Sequence, residues 1–188
     1  MNSTRWLAGF GLMVFTASAF SMAADDPAPQ AKPPDRWAPI RFLEGEWEGT
    51  AEGQSGAGSV RRTYSFILEG RYLFEKNIST YPPQEQNKAG EVHEHWSFFS
   101  HDRGRKTLIL RQFHQEGFVN EYALDSAAGG TGKLVFKGER YENFDNSWQL
   151  RETYEVLSPD EFVEVFEIGA PGKELEVYSK NHFKRAKP

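Results

Sequence analysis

Three histidines in the middle of the chain are the side chains best suited to hold a metal ion. His93 and His95 lie two residues apart in EVHEHWSFFS, and His114 ends the segment RKTLILRQFH. Side chains two residues apart in a β-strand share one face, so these imidazoles and the nearby Glu91 could coordinate zinc or iron. The same face carries further polar side chains, which favours a solvated outer surface without a sheltered site. We therefore expect no metal ion here.

The opposite face of the same two segments carries one acid and one base among aromatic side chains. If the turn HDRG closes this hairpin, Glu94 lies opposite Arg111. A buried pair of charges could simply fix the register, or Arg111 could also bind a ligand carboxylate or phosphate. A two-residue turn at Glu116-Gly117 would add the next strand to this face. The residues expected to line a ligand site are then Glu94, Trp96, Phe98, Arg111, Phe113, Asn120 and Tyr122.

The sequence lacks the usual arrangements for covalent or phosphate chemistry. It contains no cysteine, no Gly-x-Ser-x-Gly motif and no glycine loop that precedes a helix. Histidine and aspartate do not occur at a recognisable catalytic spacing. We therefore expect a binding protein rather than an enzyme.

Ten candidate strands position these side chains. Segments of about eight to twelve residues, rich in aromatic and β-branched types, alternate with short turn-like pieces, which is typical of an all-β protein. Short connections favour antiparallel neighbours, and closure removes the edges of a long sheet. The sequence therefore predicts a single antiparallel up-and-down β-barrel of about ten strands, with an open two-sheet sandwich as the alternative. The candidate strands are GEWEGTAEG, SVRRTYSFILE, YLFEKNISTY, EVHEHWSFFS, RKTLILRQFH, GFVNEYALD, KLVFKGERYE, SWQLRETYEVL, EFVEVFEIG and ELEVYSKNHFKR.

The start of the chain has the pattern of a secretory signal. Arg5 precedes an apolar run, and Ser-Met-Ala at 21–23 supplies small residues for cleavage. Residues 24–39 are rich in proline and alanine and indicate a flexible spacer, so the barrel domain is expected to span 40–188. No second apolar run is long enough for a stable membrane anchor. We therefore expect a periplasmic or secreted protein.

The balance of charge argues against nucleic acid as a partner. The chain has 22 Lys and Arg against 27 Asp and Glu, a net charge of −5. Without residues 1–23, which contain Arg5 and no acid, the balance is 21 − 27 = −6. Nucleic acid and anionic membrane surfaces both attract clustered positive charge. The expected partner is instead a small apolar or amphiphilic molecule.

The opening motif Gly45-Glu46-Trp47-Glu48-Gly49 resembles the first strand of calycin-type, lipocalin-like barrels. Strand number and order extend the resemblance over nearly the whole domain, toward the ten-stranded nitrobindin-like family and related uncharacterised bacterial domains. The resemblance implies that Trp47 closes one end of the barrel beneath a basic residue of the last strand. Lys184 and Arg185 are the candidates for that cation–π contact.

The nitrobindin-like resemblance also implies haem, bound through a histidine of the last strand. The candidate is His182, but in ELEVYSKNHFKR it alternates in phase with glutamate and lysine rather than with the apolar residues. Period two therefore places it toward solvent, although a bulge would reverse that. We expect no cofactor, with haem as the alternative.

The leading hypothesis is an exported barrel whose interior binds a small, partly apolar molecule. The alternatives are a haem-binding nitrobindin-like protein and a barrel with a packed, dry core that acts through its outer surface. Fatty-acid-binding barrels hold carboxylates with an Arg-x-Tyr pair on a late strand. Arg62-Thr63-Tyr64 has these letters but lies on the second strand.

Overall fold

The computed structural model describes residues 35–187, which form a closed barrel of ten antiparallel strands. Each strand pairs with its neighbours in sequence, and the first pairs with the last, so the predicted up-and-down barrel is confirmed. The predicted signal and residues 24–34 of the predicted spacer lie outside the described residues. The strands are β1 (Gly45–Gly53), β2 (Gly58–Ile67), β3 (Tyr72–Tyr81), β4 (Glu91–Asp102), β5 (Thr107–His114), β6 (Val119–Leu124), β7 (Lys133–Glu142), β8 (Gln149–Ser158), β9 (Glu161–Gly169) and β10 (Glu176–Arg185).

Helical structure is slight in this part of the chain. A 3-10 helix, Arg41–Leu43, precedes β1. Among residues 35–187, no helix is both long and apolar enough to cross a membrane.

Strand alternation sends every second side chain into the barrel. In β1, Trp47 and Ala51 point inward and are buried, whereas Glu48 and Glu52 are exposed. Gly49 lies between them, where an added Cβ would overlap the backbone oxygen of His182 on β10. Glycine at 49 therefore permits the close approach of β1 and β10 that closes the barrel.

Trp47 plugs one end of the barrel. Its ring is buried, its Nε1 donates to the Leu43 carbonyl at 2.7 Å, and the Arg185 guanidinium carbon lies 4.3 Å from its centroid. The Lys184 side chain is 72 % exposed and lies near Glu161 instead. Of the two basic candidates, Arg185 therefore covers Trp47, and the implied structural role of the tryptophan fits its contacts.

The packed domain begins earlier than the sequence suggests. Trp37, within the predicted spacer, is buried and donates from Nε1 to the Gly70 carbonyl at 3.0 Å. Its ring meets Phe66 edge-on, with centroids 5.4 Å apart. Residues 35–39 therefore belong to the domain, because Trp37 anchors them against the plugged end.

The β4–β5 hairpin faces the opposite way from the prediction. The side chains of Glu94, Trp96, Phe98, Arg111 and Phe113 do share one face, but that face is the outer one. Trp96 is 47 % exposed and Phe113 43 % exposed. Their predicted inward orientation is wrong, because the aromatic face of this hairpin is not its buried face.

The turn between β5 and β6 is one residue longer than predicted. His114 N donates to the Phe118 carbonyl at 3.1 Å, and Gly117 N donates to the His114 carbonyl at 2.8 Å. Gly117 has φ +90°, so a three-residue loop with a left-handed glycine replaces the expected two-residue turn. Arg111 consequently pairs with Glu121 rather than with Tyr122. This odd shift turns Asn120 and Tyr122 inward, away from Arg111.

Candidate ligand cavity

A cavity of ≈ 420 Å³ occupies the end of the barrel opposite Trp47. The interior is therefore not packed throughout, and this volume lies within the range of small-molecule sites. The aromatic and aliphatic core fills the other half, around Phe99, Phe136, Tyr154, Phe162 and Phe183.

Arg62 on β2 is the central charge of the cavity wall. Its Nη1 and Nη2 donate to Glu164 on β9 at 2.6 and 2.8 Å. Its Nε donates to Asn77 Oδ1 at 2.9 Å and lies 3.1 Å from Glu75 Oε1, and Nη1 also reaches the Tyr64 hydroxyl at 3.1 Å. All three guanidinium nitrogens are therefore engaged by protein groups.

Burial and charge act in opposite directions on this ion pair. Burial lowers the pKa of Arg62, but the carboxylates of Glu164 and Glu75 outweigh it and hold the pKa well above its usual value. For the acid, burial raises the pKa of Glu164, but the positive charge of Arg62 and a hydrogen bond from Asn181 outweigh burial and hold this pKa below the usual value. Arg62 and Glu164 are consequently both charged near neutral pH.

Glu152 on β8 is a carboxyl group of a different kind. Burial, reinforced by the negative charge of Glu164, raises its pKa well above the usual value, which favours the protonated carboxyl group. Within residues 35–187, its Oε2 is buried without a hydrogen-bond partner, as are Asn120 Oδ1 and Asn181 Oδ1. These three residues line the cavity. The two amide oxygens can accept hydrogen bonds from a ligand, and the carboxyl group of Glu152 can both donate and accept when it is protonated.

The three histidines meet on the inner wall. His93 and His95 point inward from β4, and His114 lies directly opposite His95 on β5. Their ring centroids are 5.5, 5.5 and 5.3 Å apart, and one ring nitrogen from each lies within 4.8 Å of the others. The expected solvated outer surface is therefore wrong for these residues, although His93 lies close to the mouth.

Each histidine is also held by a neighbouring polar group. His93 Nδ1 lies 2.9 Å from Glu116 Oε1, His95 Nε2 lies 3.0 Å from Glu75 Oε1, and Asn120 Nδ2 lies 3.2 Å from His114 Nε2. Burial and the adjacent imidazoles lower the pKa of His114 to about 2, so this ring is neutral at ordinary pH. A neutral imidazole retains a lone pair for coordination.

Aromatic side chains line two sides of the mouth of the cavity. Phe118 stacks on His114 with centroids 4.3 Å apart, and Phe144 lies 6.2 Å from Phe118. On the facing wall, Phe166 meets Tyr178 edge-on at 5.6 Å. The cavity thus joins an apolar entrance to a polar floor.

The predicted site residues are divided between the two faces of the wall. Asn120 and Tyr122 lie inside, where Asn120 Nδ2 donates to the Tyr122 hydroxyl at 3.2 Å. Glu94 and Arg111 are not paired with each other. Glu94 contacts Lys76 at 3.3 Å, and Arg111 contacts Glu121 at 2.6 Å. Trp96, Phe98 and Phe113 form part of an outer aromatic surface.

His182 lies on the outer face, as its phase predicts. Its Nε2 is 2.7 Å from Glu161 Oε1, and the side chains before and after it, Asn181 and Phe183, point inward. The pairing of β10 with β9 shifts register between Val177 and Ser179, but residues 181–183 keep the inward and outward alternation expected from the sequence.

Sequence reasoning missed the charged floor of the cavity. Arg62 alternates with Val60 and Tyr64, and Glu164 with Phe162 and Phe166. In both strands the charged side chain lies on the same face as apolar side chains two residues away, which indicates a buried charge. Reading strands β2 and β9 together would have suggested this pair.

The fold and cavity define a class of protein, the closed ten-stranded antiparallel barrels with an internal cavity. The chain is similar to the crystal structure of Rv2717c from M. tuberculosis, with a TM-score of 0.59 and 14% sequence identity. The likeness covers 86% of this chain and 100% of that chain, and at this identity it shows the shared fold alone. No protein-family model and no curated protein matches the sequence.

Proposed function

We propose that the protein is an exported small-molecule-binding barrel whose ligand is a neutral or cationic amphiphile that donates hydrogen bonds. The observation that carries this proposal is the set of unsatisfied oxygen atoms on Glu152, Asn120 and Asn181 in the cavity wall. A buried acceptor without a partner costs free energy, and a ligand N–H or O–H group removes that cost. The polar end of the ligand would therefore lie at the floor.

The charges of the cavity disfavour an anionic ligand. Arg62 is occupied by Glu164, Glu75 and Asn77, so it has no free fork for a carboxylate. Glu91 and Glu116 add further carboxyl groups at the mouth. Like charges in a sheltered site repel, which supports a neutral or positively charged polar group.

The apolar part of the ligand would occupy the mouth. Phe118, Phe144, Phe166 and Ile168 surround the entrance of the cavity. Burial of alkyl groups against them contributes about 25 cal/mol per Å² of apolar surface. This arrangement supports the partly apolar ligand expected from the sequence.

Export and calycin-like membership complete the proposal. Export is supported by the signal pattern of residues 1–23, and calycin-like membership by the Gly-x-Trp opening and the closed barrel. The phase of His182 supports a ligand that is not haem bound through the last strand.

Matched eight-carbon amphiphiles test the ligand chemistry. Isothermal titration calorimetry of the protein with octylammonium, octanamide and octanoate should show saturable binding of the first two. We expect octanoate to bind at least tenfold more weakly. A preference for octanoate would contradict the proposal.

A pair of phenylalanine variants locates the binding. Phe118→Ser, at the mouth, should weaken octanamide binding by about tenfold, because about 1–2 kcal/mol of apolar contact is lost. Phe113→Ser, on the outer face of the adjoining strand, is the matched control and should leave the affinity unchanged. Equal affinities of both variants and the wild type would exclude the cavity as the site.

A further inference from the structure

The barrel wall holds three imidazole rings that converge from two neighbouring strands. We propose that His93, His95 and His114 bind one divalent first-row transition-metal ion of the zinc class, with one coordination position left for water or for a molecule in the cavity. The site requires no organic ligand, but it shares Asn120 with the function proposed above: the amide orientation that supports the metal uses the Asn120 oxygen and leaves Glu152 and Asn181 for a ligand.

The spacing of the rings agrees with a tetrahedral metal site. Zinc–nitrogen bonds of about 2.0–2.1 Å place tetrahedral ligand nitrogens about 3.3 Å apart. His95 Nδ1 and His93 Nε2 are separated by 3.3 Å, and the third histidine offers a nitrogen within 4.8 Å of both. A small rotation of His114 would therefore complete the triad.

The strands fix this arrangement without loops. His93 and His95 share the inner face of β4 because they are two residues apart, and the β4–β5 ladder sets His114 opposite His95. Sites built on paired strands hold their ligands more precisely than sites on loops. The three donors are consequently organised before any ion arrives.

In His93 and His95, the second ring nitrogen has the partner that metal-binding histidines usually have. Such rings nearly always donate their other N–H to a carboxylate, carbonyl or water, which fixes the tautomer. Glu116 lies at His93 Nδ1, and Glu75 lies at His95 Nε2. The nitrogens left over are His93 Nε2 and His95 Nδ1, which are the two that face each other at 3.3 Å.

His114 follows the same pattern through an amide. Asn120 lies at its Nε2, whereas within residues 35–187 its Nδ1 is buried without a hydrogen-bond partner. Asn120 Oδ1 also lacks a partner there, and the oxygen and nitrogen of an amide exchange places by a half-turn. With its oxygen toward Nε2–H, Asn120 would leave the Nδ1 lone pair to the metal.

The chemistry of the donors selects the ion. Imidazole nitrogens suit zinc, copper, nickel and iron, whereas magnesium and calcium require oxygen ligands. Three protein ligands with an open fourth position are the pattern of zinc sites that act on a bound molecule, since structural sites are closed. Glu75 and Glu164 together outnumber Arg62 in this wall, which favours a cation.

Metal titration of the full-length protein tests the site. After removal of metal with EDTA and dialysis, the wild type should bind one equivalent of Zn²⁺ by calorimetry and give the visible absorption of tetrahedral Co²⁺. His93→Ala and His114→Ala should each lose the Co²⁺ absorption and one-to-one Zn²⁺ binding. Glu116→Gln should weaken Zn²⁺ binding by about tenfold, because it removes the partner of His93.

His182→Ala is the matched control, because His182 lies beside Glu161 on the outer face. It should bind Zn²⁺ and Co²⁺ like the wild type. Near-UV circular dichroism of each metal-free variant checks its fold, and glutamine replaces alanine in any variant that unfolds.

Two results would overturn the proposal. One is the absence of one-to-one binding in the wild type, or its persistence in folded His93 and His114 variants. The other concerns Glu91 and Glu116, which form a second possible trio with His93 at the mouth. Binding abolished by Glu91→Gln but retained by His114→Ala would place the ion there instead.

Discussion

Arg62 shows how a single buried cation organises the floor of the cavity. Its guanidinium lies 4.4 Å from the Phe183 ring and contacts carboxylates from two other strands, Glu75 on β3 and Glu164 on β9. Desolvation of such charges is expensive, and only close geometry with additional hydrogen bonds compensates for it. The network therefore fixes the relation between strands that are distant in sequence, and it also consumes the donors that an anion would require.

Removing the central charge should destabilise the barrel strongly. Arg62→Met leaves Glu75 and Glu164 buried without their cation, and we expect the free energy of unfolding to fall by about 3–5 kcal/mol. Urea unfolding measures this difference. The double variant Arg62→Met with Glu164→Gln should recover part of the lost stability, because a neutral amide then replaces one of the two unpaired carboxylates. An Arg62→Met protein as stable as the wild type would show that the network is not buried in solution.

At the scale of the strand, β4 and β5 carry an aromatic surface outside and a polar wall inside. Phe74 meets Trp96 and Phe98 at 5.7 and 5.2 Å, and Phe98 meets Phe113 at 5.8 Å. The Lys76 ammonium lies 5.9 Å from the Trp96 ring. The aromatic rings thus bury part of their surface against one another, although they face away from the barrel interior.

The outward orientation of this aromatic surface, opposite to the prediction, shows which parts of the structure the sequence could predict. Ten strands and their order follow from alternation and short turns, and β1, β3, β7 and β9 have the predicted bounds. The inward face of the β4–β5 hairpin does not follow, because a cavity wall can be more polar than the outer surface. One additional loop residue decides whether Asn120 and Tyr122 lie on the same face of the sheet as Arg111. A shift of one residue in the pairing of β5 with β6 moves every side chain of β6 to the opposite face.

Because Arg111 lies on the outer face, a substitution there tests the observed register between β5 and β6. Arg111→Met removes a half-exposed contact with Glu121, so we expect the free energy of unfolding to change by less than about 1 kcal/mol. Urea unfolding of Arg111→Met and Arg62→Met compares the same substitution on the outer and inner faces of the barrel. A loss of several kcal/mol at Arg111 would restore the inward orientation and contradict the observed pairing of β5 with β6.

At the scale of the whole molecule, the barrel combines a packed half with a hollow, charged half. Closure of the sheet leaves no free strand edge, and Trp47 with Arg185 seals the packed end. The aromatic core at that end offsets the cost of polar groups left unsatisfied around the cavity. The packed core and the cavity thus lie at opposite ends of one sheet.

The raised pKa of Glu152 should appear in the pH dependence of that stability. Burial and Glu164 raise its folded pKa well above the unfolded value of about 4.5, whereas Arg62 and a hydrogen bond with Gln112 only partly oppose them. Between the two pKa values the folded protein holds a proton that the unfolded chain releases. The contribution of Glu152 is therefore fully present below about pH 4.5 and is lost as pH rises toward the folded pKa.

Glu152→Gln removes this proton without a large change in shape. Above about pH 4.5, the stability of the wild type relative to Glu152→Gln should fall as pH rises, by at most about 1.4 kcal/mol per pH unit, and level off above the folded pKa, as measured by urea unfolding from pH 5 to 8. Glu155→Gln, on the outer face of the same strand, controls for the substitution itself. Parallel profiles for the wild type and Glu152→Gln would mean that Glu152 is ionised in the folded barrel, and the floor would then offer a ligand a negative charge in place of a neutral carboxyl group.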